Sequence, residues 1–179
     1  MFGMKPYTRK ATVLWLGTRQ RGKGAISTPS AALRMALHGS SGDVKRRGTN
    51  PSELIAAAHA GSFALTLANE LGEAGYSPRQ IDTTATVTME NIAAGWTMTQ
   101  IHLDVIAEVP RVAQFDFVDA TLRAKANCPV SRALNANISM RANLSRRDSA
   151  ARVNPRRRSR GAGSDTFREN RARRKQPNH

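Results

Sequence analysis

Cys128 is the only cysteine of the chain, and its thiol is the group best suited to redox or nucleophilic chemistry. It directly precedes Pro129, and the sequence PVSRALNA predicts a short helix that begins at this proline. A thiol at a helix N-terminus ionises more readily, because the partial positive charge there favours the thiolate. The alternative for a lone cysteine is a small, buried apolar side chain. A single cysteine excludes an intramolecular disulfide and zinc sites built from several cysteines.

Four histidines are scattered along the chain without metal-ligand spacing, and each is interpreted as an ordinary structural or surface residue: His38, His59, His102 and His179. We therefore predict no metal and no cofactor. His59 lies one helical turn before Ser62, which raises the question of a serine nucleophile with a histidine base. Two side chains on one helix give a poor geometry for such an attack, and no acidic partner is visible. The Ser-His interpretation is therefore not favoured.

Residues 51–74 predict a long helix, which carries this His-Ser pair. Thr49 or Asn50 can cap it, Pro51 suits its first position, and Gly75 suits its end. The segment is rich in Ala, Leu and Glu and is apolar around much of its circumference, which predicts a buried helix. Small side chains would let another helix or backbone approach closely: Ala56, Ala57, Ala60 and Gly61.

Alternating patterns predict strands on both sides of this helix. Residues 8–18 and 21–28 predict an antiparallel hairpin, and residues 80–90 and 95–109 predict two long strands joined by a turn at 91–94. In the last of these strands His102 is expected to face solvent. Its core-facing residues are expected to be Trp96, Met98, Ile101, Leu103, Val105 and Ala107.

The remaining segments complete an α+β pattern. Residues 31–37 are compatible with a helical turn, and residues 113–126 carry apolar side chains at helical spacing. Residues 137–144 alternate and predict a final strand. The order of two strands, a long helix, two strands, helices and a strand predicts an α+β domain with segregated helices.

The strong positive charge is concentrated at one end of the chain. Residues 145–179 hold 12 Lys and Arg against 3 Asp and Glu, which is +9 of the formal net charge of +15. This segment has almost no apolar side chains, so we predict a domain over residues 1–144 and a disordered, Arg-rich tail over residues 145–179. Weak, salt-sensitive contact of the tail with nucleic acid is an alternative to a merely solvated segment. Phe167 is its only aromatic residue, which does not support base stacking.

Three segments resemble the OsmC branch of the OsmC/Ohr family of thiol-dependent hydroperoxide reductases. They are residues 48–90, which include NPSELIAAAHAGS, residues 125–140, which include NCPVS, and more weakly residues 21–30. The resemblance implies an antiparallel sheet with a long buried central helix, in an intertwined homodimer with its active sites at the interface. It also implies reduction of organic hydroperoxides or hydrogen peroxide by two cysteines, with a dithiol as the final reductant.

The family's catalytic pattern is altered in this sequence. Ser62 stands where the family has its peroxide-attacking cysteine, and Cys128 stands at the resolving position. Ser52 stands at the family's glutamate position, where Glu53 is a possible substitute with a helix-capping role as its alternative. The family's loop arginine has no match in residues 39–47. The resemblance therefore implies a hydroperoxide reductase that is impaired at its first step.

The alternative function is a non-catalytic homodimer that binds a small molecule in the former active site. No apolar run is long enough to span a membrane, and the N-terminus does not have the form of a signal peptide. We therefore expect a cytoplasmic protein with no membrane partner.

Overall fold

The computed structural model describes residues 7–18, 22–33, 36–38 and 48–145. The α+β class predicted from the sequence is confirmed. Two three-stranded sheets accompany one long and two shorter helices. The elements, in chain order, are β1 (Thr12–Leu16), β2 (Lys23–Ser27), β3 (Ala36–His38), α1 (Pro51–Glu73), β4 (Gln80–Ile92), β5 (Gly95–Glu108), α2 (Gln114–Asn127), α3 (Pro129–Ala133) and β6 (Asn137–Leu144).

The N-terminal sheet has the order β1-β2-β3 with antiparallel pairing throughout. The predicted hairpin is confirmed, since Val13 pairs with Ile26 in register. The helical turn suggested for residues 31–37 is wrong, because Ala36–His38 forms β3 against β2. So short a segment has little local preference, and pairing with a neighbouring strand outweighs it.

Helix α1 begins and ends as predicted. The side-chain oxygen of Asn50 accepts a hydrogen bond from the backbone N–H of Glu53 at 2.9 Å, and Pro51 occupies the first turn. Ala74 is the C-cap, and Gly75 follows with a φ of +83°, a left-handed conformation that glycine adopts without strain. These two ends fix the register of α1 relative to the rest of the fold.

The second sheet has the order β4-β5-β6 and combines two kinds of pairing. Strands β4 and β5 form a long antiparallel hairpin, whereas β6 lies parallel to β5. A parallel neighbour needs a crossover connection, which α2 and α3 supply. The register of the hairpin shifts at a bulge beside Thr99, where Thr88 pairs with Gln100 and Met89 pairs with Met98.

The bulge explains why the predicted core positions of β5 change from even to odd numbers along the strand. Ile101, Leu103, Val105 and Ala107 are buried as expected. Trp96 is 58% exposed, so the prediction that it faces the core is wrong. It lies next to the turn of the hairpin, where it pairs with Asn91. The prediction for His102 is also wrong in part, because its ring is half-buried and its Nδ1 lies 2.7 Å from the hydroxyl of Ser139.

The core lies between α1, α2 and the second sheet. Phe63, Leu67 and Leu71 of α1 are fully buried against Phe117 of α2 and the inward side chains of β5. The spaced apolar residues of α2 correctly predict a helix, but they lie outside this core. The exposed stripe consists of Phe115, Val118, Leu122 and Ala126.

Residues 39–47 and 146–179, which include nearly all of the predicted basic tail, lie outside the described residues. Of the helices in the described ranges, none is both long and apolar enough to cross a membrane.

Candidate functional site

Helix α1 places His59 and Ser62 on neighbouring positions of one face, because residues three apart on a helix are adjacent. His59 is fully buried, and Ser62 is half-buried. Both point towards the junction of α2 and α3, as the contacts of their side chains show. The long helix therefore contributes two polar side chains to this part of the interior.

Cys128 lies at the junction between α2 and α3 and is fully buried. Its backbone N–H donates to the carbonyl of Ala124 at 2.9 Å, which closes α2. Its carbonyl accepts from the N–H of Arg132 at 3.0 Å, which opens α3. The predicted position of Cys128 directly before a short helix is confirmed, and both helices fix the direction of its side chain.

The thiol of Cys128 donates a hydrogen bond to the hydroxyl of Ser62, with 3.3 Å between Sγ and Oγ. Burial raises the pKa of the thiol, but hydrogen bonding by Ser62, by the side chain and backbone of Ser131 and by the backbone of Val130 favours the thiolate, to which the Ser62 hydroxyl then donates. These hydrogen bonds outweigh burial, so the pKa of Cys128 lies below its ordinary value. The sulfur is thus held in a setting that favours its reactive form.

His59 connects to the same cluster through Ser131. Its Nε2 lies 2.8 Å from the hydroxyl oxygen of Ser131, although the two residues are far apart in the chain. Its other ring nitrogen, Nδ1, is buried and has no hydrogen-bond partner within the described part of the chain. Burial lowers the pKa of His59, so the ring is neutral near pH 7. From the sequence, His59 was considered only as a base for Ser62, and Ser131 was noted only as part of the CPVS motif.

Ser52 and Glu53 are not brought to this cluster within one chain. Both lie in the first turn of α1, and a rise of about 1.5 Å per residue separates them from Ser62 by roughly 14–15 Å along the axis. Ser52 is half-buried and Glu53 is exposed. They border a separate cleft, together with Asn50, Ala56 and residues of β4.

A polar network joins α1 to the end of α2, next to Cys128. The carboxylate of Glu70, which is only 5% exposed, accepts hydrogen bonds from Asn127 at 2.8 Å and from Arg123 at 2.9 Å. Arg123 also forms an ion pair with Asp119. Since Asn127 directly precedes Cys128, the network ties the end of α2 to the long helix.

Arg46 and Arg47, the arginines nearest to the unmatched loop position in sequence, lie outside the described residues. In the described part of the chain, no group of three or more His, Cys, Asp or Glu side chains is arranged to hold a metal ion.

Comparisons with known proteins place this arrangement in a family. The family model of the OsmC-like proteins matches residues 41–143. The chain is 41% identical over 133 residues to the peroxiredoxin OsmC of Escherichia coli, and the match covers 74% of this chain and 93% of that protein.

Solved structures agree on the fold. An OsmC-like protein of unknown function from Vibrio cholerae matches with a TM-score of 0.65 at 12% identity, over 77% of this chain and 100% of that one. The organic hydroperoxide resistance protein OhrB of Bacillus subtilis matches with a TM-score of 0.57 at 20% identity, over 76% of this chain and 98% of that one. The matched family model, the identity with the Escherichia coli protein and the shared α+β fold show that this chain belongs to the OsmC family.

Proposed function

We propose that the chain has the scaffold of a thiol-dependent hydroperoxide reductase, with Ser62 at the peroxide-attacking position and Cys128 at the resolving position. The observation that carries this proposal is the 3.3 Å contact between Ser62 Oγ and Cys128 Sγ. Two sulfur atoms at these positions would need only a small movement to reach the roughly 2.05 Å of a disulfide bond. The substrates of the scaffold are organic hydroperoxides or hydrogen peroxide, and a dithiol is its reductant.

The serine interrupts this cycle at its first step. In the two-thiol cycle, one thiolate attacks the O–O bond, which releases an alcohol or water and leaves a sulfenic acid. The second thiol then displaces water from the sulfenic acid to form a disulfide, which a dithiol reduces. A serine hydroxyl ionises far above neutral pH and has no sulfenic state, so Ser62 cannot carry out the first step of the cycle. The natural chain is therefore impaired as a two-thiol peroxidase.

The test compares the natural chain with Ser62→Cys in tert-butyl hydroperoxide consumption, with dithiothreitol as reductant. We expect little turnover by the natural chain and a clear increase in the variant. The double variant Ser62→Cys/Cys128→Ser is the matched control, because it restores the first thiol but removes the resolving one. Mass spectrometry of the non-reduced Ser62→Cys protein should show an intramolecular disulfide to Cys128 that the double variant lacks.

Turnover by the natural chain as fast as by Ser62→Cys would contradict the proposed role of Ser62. Inactivity of Ser62→Cys together with a formed disulfide would mean that the two positions are correctly assigned but that activation of the first thiol is lost. The altered glutamate position at Ser52 and the unmatched loop arginine would then account for the inactivity, and non-catalytic binding would become the better description.

Glu53 is the acidic residue nearest to the family's glutamate position. It lies about 14 Å from Ser62 along the same helix, and its backbone N–H is already part of the helix cap. We assign its carboxylate to the positive end of the α1 dipole, which a first-turn acid stabilises. Ser52 has no comparable charge to offer.

The proposed assembly is a homodimer in which a second copy covers the exposed face of α1. Leu65 is 75% exposed although it lies in the middle of this apolar helix, and its neighbours Ala58 and Gly61 are also exposed. Small residues beside a large apolar one allow close helix contact. Sedimentation analysis should show a dimer for the natural chain and a shift towards monomer for Leu65→Glu, with Glu73→Gln as an exposed control on the same helix. A monomeric natural chain would contradict the assembly.

A further inference from the structure

His59 and Ser131 form a polar connection that the two-thiol cycle does not explain. His59 is a fully buried histidine in the middle of an apolar helix, where an aliphatic side chain would avoid the cost of burying two ring nitrogens. One nitrogen contacts the Ser131 hydroxyl at 2.8 Å, and the other has no hydrogen-bond partner among the residues that the structure describes. Ser131 lies three residues after Cys128, in the first turn of α3, and its side chain is one of the hydrogen-bonding groups that lower the pKa of the thiol.

The single hydroxyl hydrogen of Ser131 determines the direction of these hydrogen bonds. Serine has one hydroxyl hydrogen, so Ser131 can donate either to His59 or to Cys128. A thiolate can only accept, so the hydroxyl must point towards the sulfur whenever Cys128 is ionised. His59 must then carry its proton on Nε2 and donate it to Ser131, which leaves Nδ1 as an unpaired acceptor. In this tautomer the contact between His59 and Ser131 is kept while the Ser131 hydroxyl donates to the thiolate.

We propose that His59 and Ser131 are positioning residues that act on Cys128: His59 donates to the hydroxyl of Ser131, and this aims the hydroxyl hydrogen at the cysteine sulfur. The proposal rests on the proposed function only in taking Cys128 as the reactive thiol of the site. The effect is independent of the residue at position 62, which approaches the sulfur from α1. Helix α1 thus acts on Cys128 in two ways: directly through Ser62, and through the contact of His59 with Ser131.

The groups around Cys128 are few enough to separate by mutation. Its ionisation is governed by burial and by hydrogen bonds from Ser62, Ser131 and Val130. The titratable residues of the helices around it include His59 and Glu70 on α1, Arg123 and Lys125 on α2, and Arg132 on α3. Of these, His59 is the one that the hydrogen bonds join to the sulfur.

The test is a titration of Cys128, which is possible because it is the only thiol of the chain. The ultraviolet absorbance of the thiolate is followed against pH in the full-length protein, with Cys128→Ser as the baseline. Ser131→Ala should raise the pKa of Cys128 by about one unit, the scale of one lost hydrogen bond to a charged group. His59→Leu should raise it by a smaller amount, whereas His59→Gln should restore the natural value because its amide can donate to Ser131.

Thr121→Val is the matched control, since it removes a buried hydroxyl that bonds within α2 and does not contact the cysteine. It should leave the titration unchanged. The proposal is overturned if Ser131→Ala titrates like the natural chain, or if His59→Leu and His59→Gln titrate alike. Should His59→Leu fail to fold, the comparison of Ser131→Ala with Ser131→Thr, which keeps the hydroxyl, decides the matter.

This titration is independent of peroxide turnover. A shifted pKa in Ser131→Ala together with an inactive Ser62→Cys would support the positioning residues and contradict the proposed function. An active Ser62→Cys together with an unshifted pKa in Ser131→Ala would support the proposed function and contradict the role of the positioning residues.

Discussion

Replacement of Glu70 tests how far the described polar network stabilises the fold. Glu70→Ala removes the acceptor for both Asn127 and Arg123. A hydrogen bond to a charged group contributes about 1.5–3 kcal/mol. Asn127 and Arg123 are both accessible enough to be hydrated, and Arg123 keeps its contact with Asp119, so the two contributions will not add in full. We expect a loss of about 2 kcal/mol in the free energy of unfolding.

The same carboxylate makes a prediction about pH. Hydrogen bonds from Asn127 and Arg123 lower the pKa of Glu70 against the opposing effect of burial. A carboxyl whose pKa is lower in the folded state stabilises the fold fully above its unfolded-state pKa and loses this contribution as the pH falls through its folded-state pKa. The stability gap between the natural chain and Glu70→Gln should therefore be largest near neutral pH and should close below roughly pH 4.

The assay is urea unfolding at neutral and at acidic pH, followed by circular dichroism. Glu73→Gln is the matched control, because this glutamate lies on the same helix but is exposed. It should change the unfolding free energy by less than about 0.5 kcal/mol. A gap between the natural chain and Glu70→Gln that is the same at both pH values would refute the reasoning, since it would show that the charge of Glu70 contributes nothing.

Two further predictions concern the N-terminus of α1 and the basic tail. Asn50→Ala should destabilise the protein by about 1 kcal/mol through loss of the N-cap of α1, and Asn50→Asp should retain most of that stability; equal losses in both variants would contradict the capping role. Deletion of residues 146–179 should remove any weak, salt-sensitive retention on DNA, and equal retention at low salt with and without these residues would exclude the tail as its source. This deletion keeps Ser145, whose N–H donates to Ala107 of β5.

The sequence predicted the elements with strong local signals. The Asn50-Pro51 start and the Ala-rich body of α1 specify a helix without help from the rest of the chain, and long alternating segments specify β4 and β5. Strand β3 has no such signal, because pairing with β2 gives it its conformation. The position of Trp96 escaped prediction because alternation indicates the face of a strand but not how far the covering helices extend.

The site was predictable only in part, for a related reason. The relation between Ser62 and Cys128 was inferred from family resemblance, and the two side chains are in contact in the structure. The contact between His59 and Ser131 joins residues 72 positions apart, and the sequence pattern around either residue gives no indication of this contact. Long-range polar contacts of this kind become visible only once the packing of α1 against α3 is known.

The parallel pairing of β5 with β6 has a consequence for the order in which the protein folds. The hairpin of β4 and β5 can form by local contacts, but β6 can pair only after α2 and α3 have crossed back over the sheet. Contacts of long sequence separation of this kind form slowly, since a large loop must close first. Cys128 and Ser131 lie within that loop. The thiol of a newly made chain is therefore expected to stay open to solvent and oxidants until this crossover packs against α1, where its sulfur contacts Ser62.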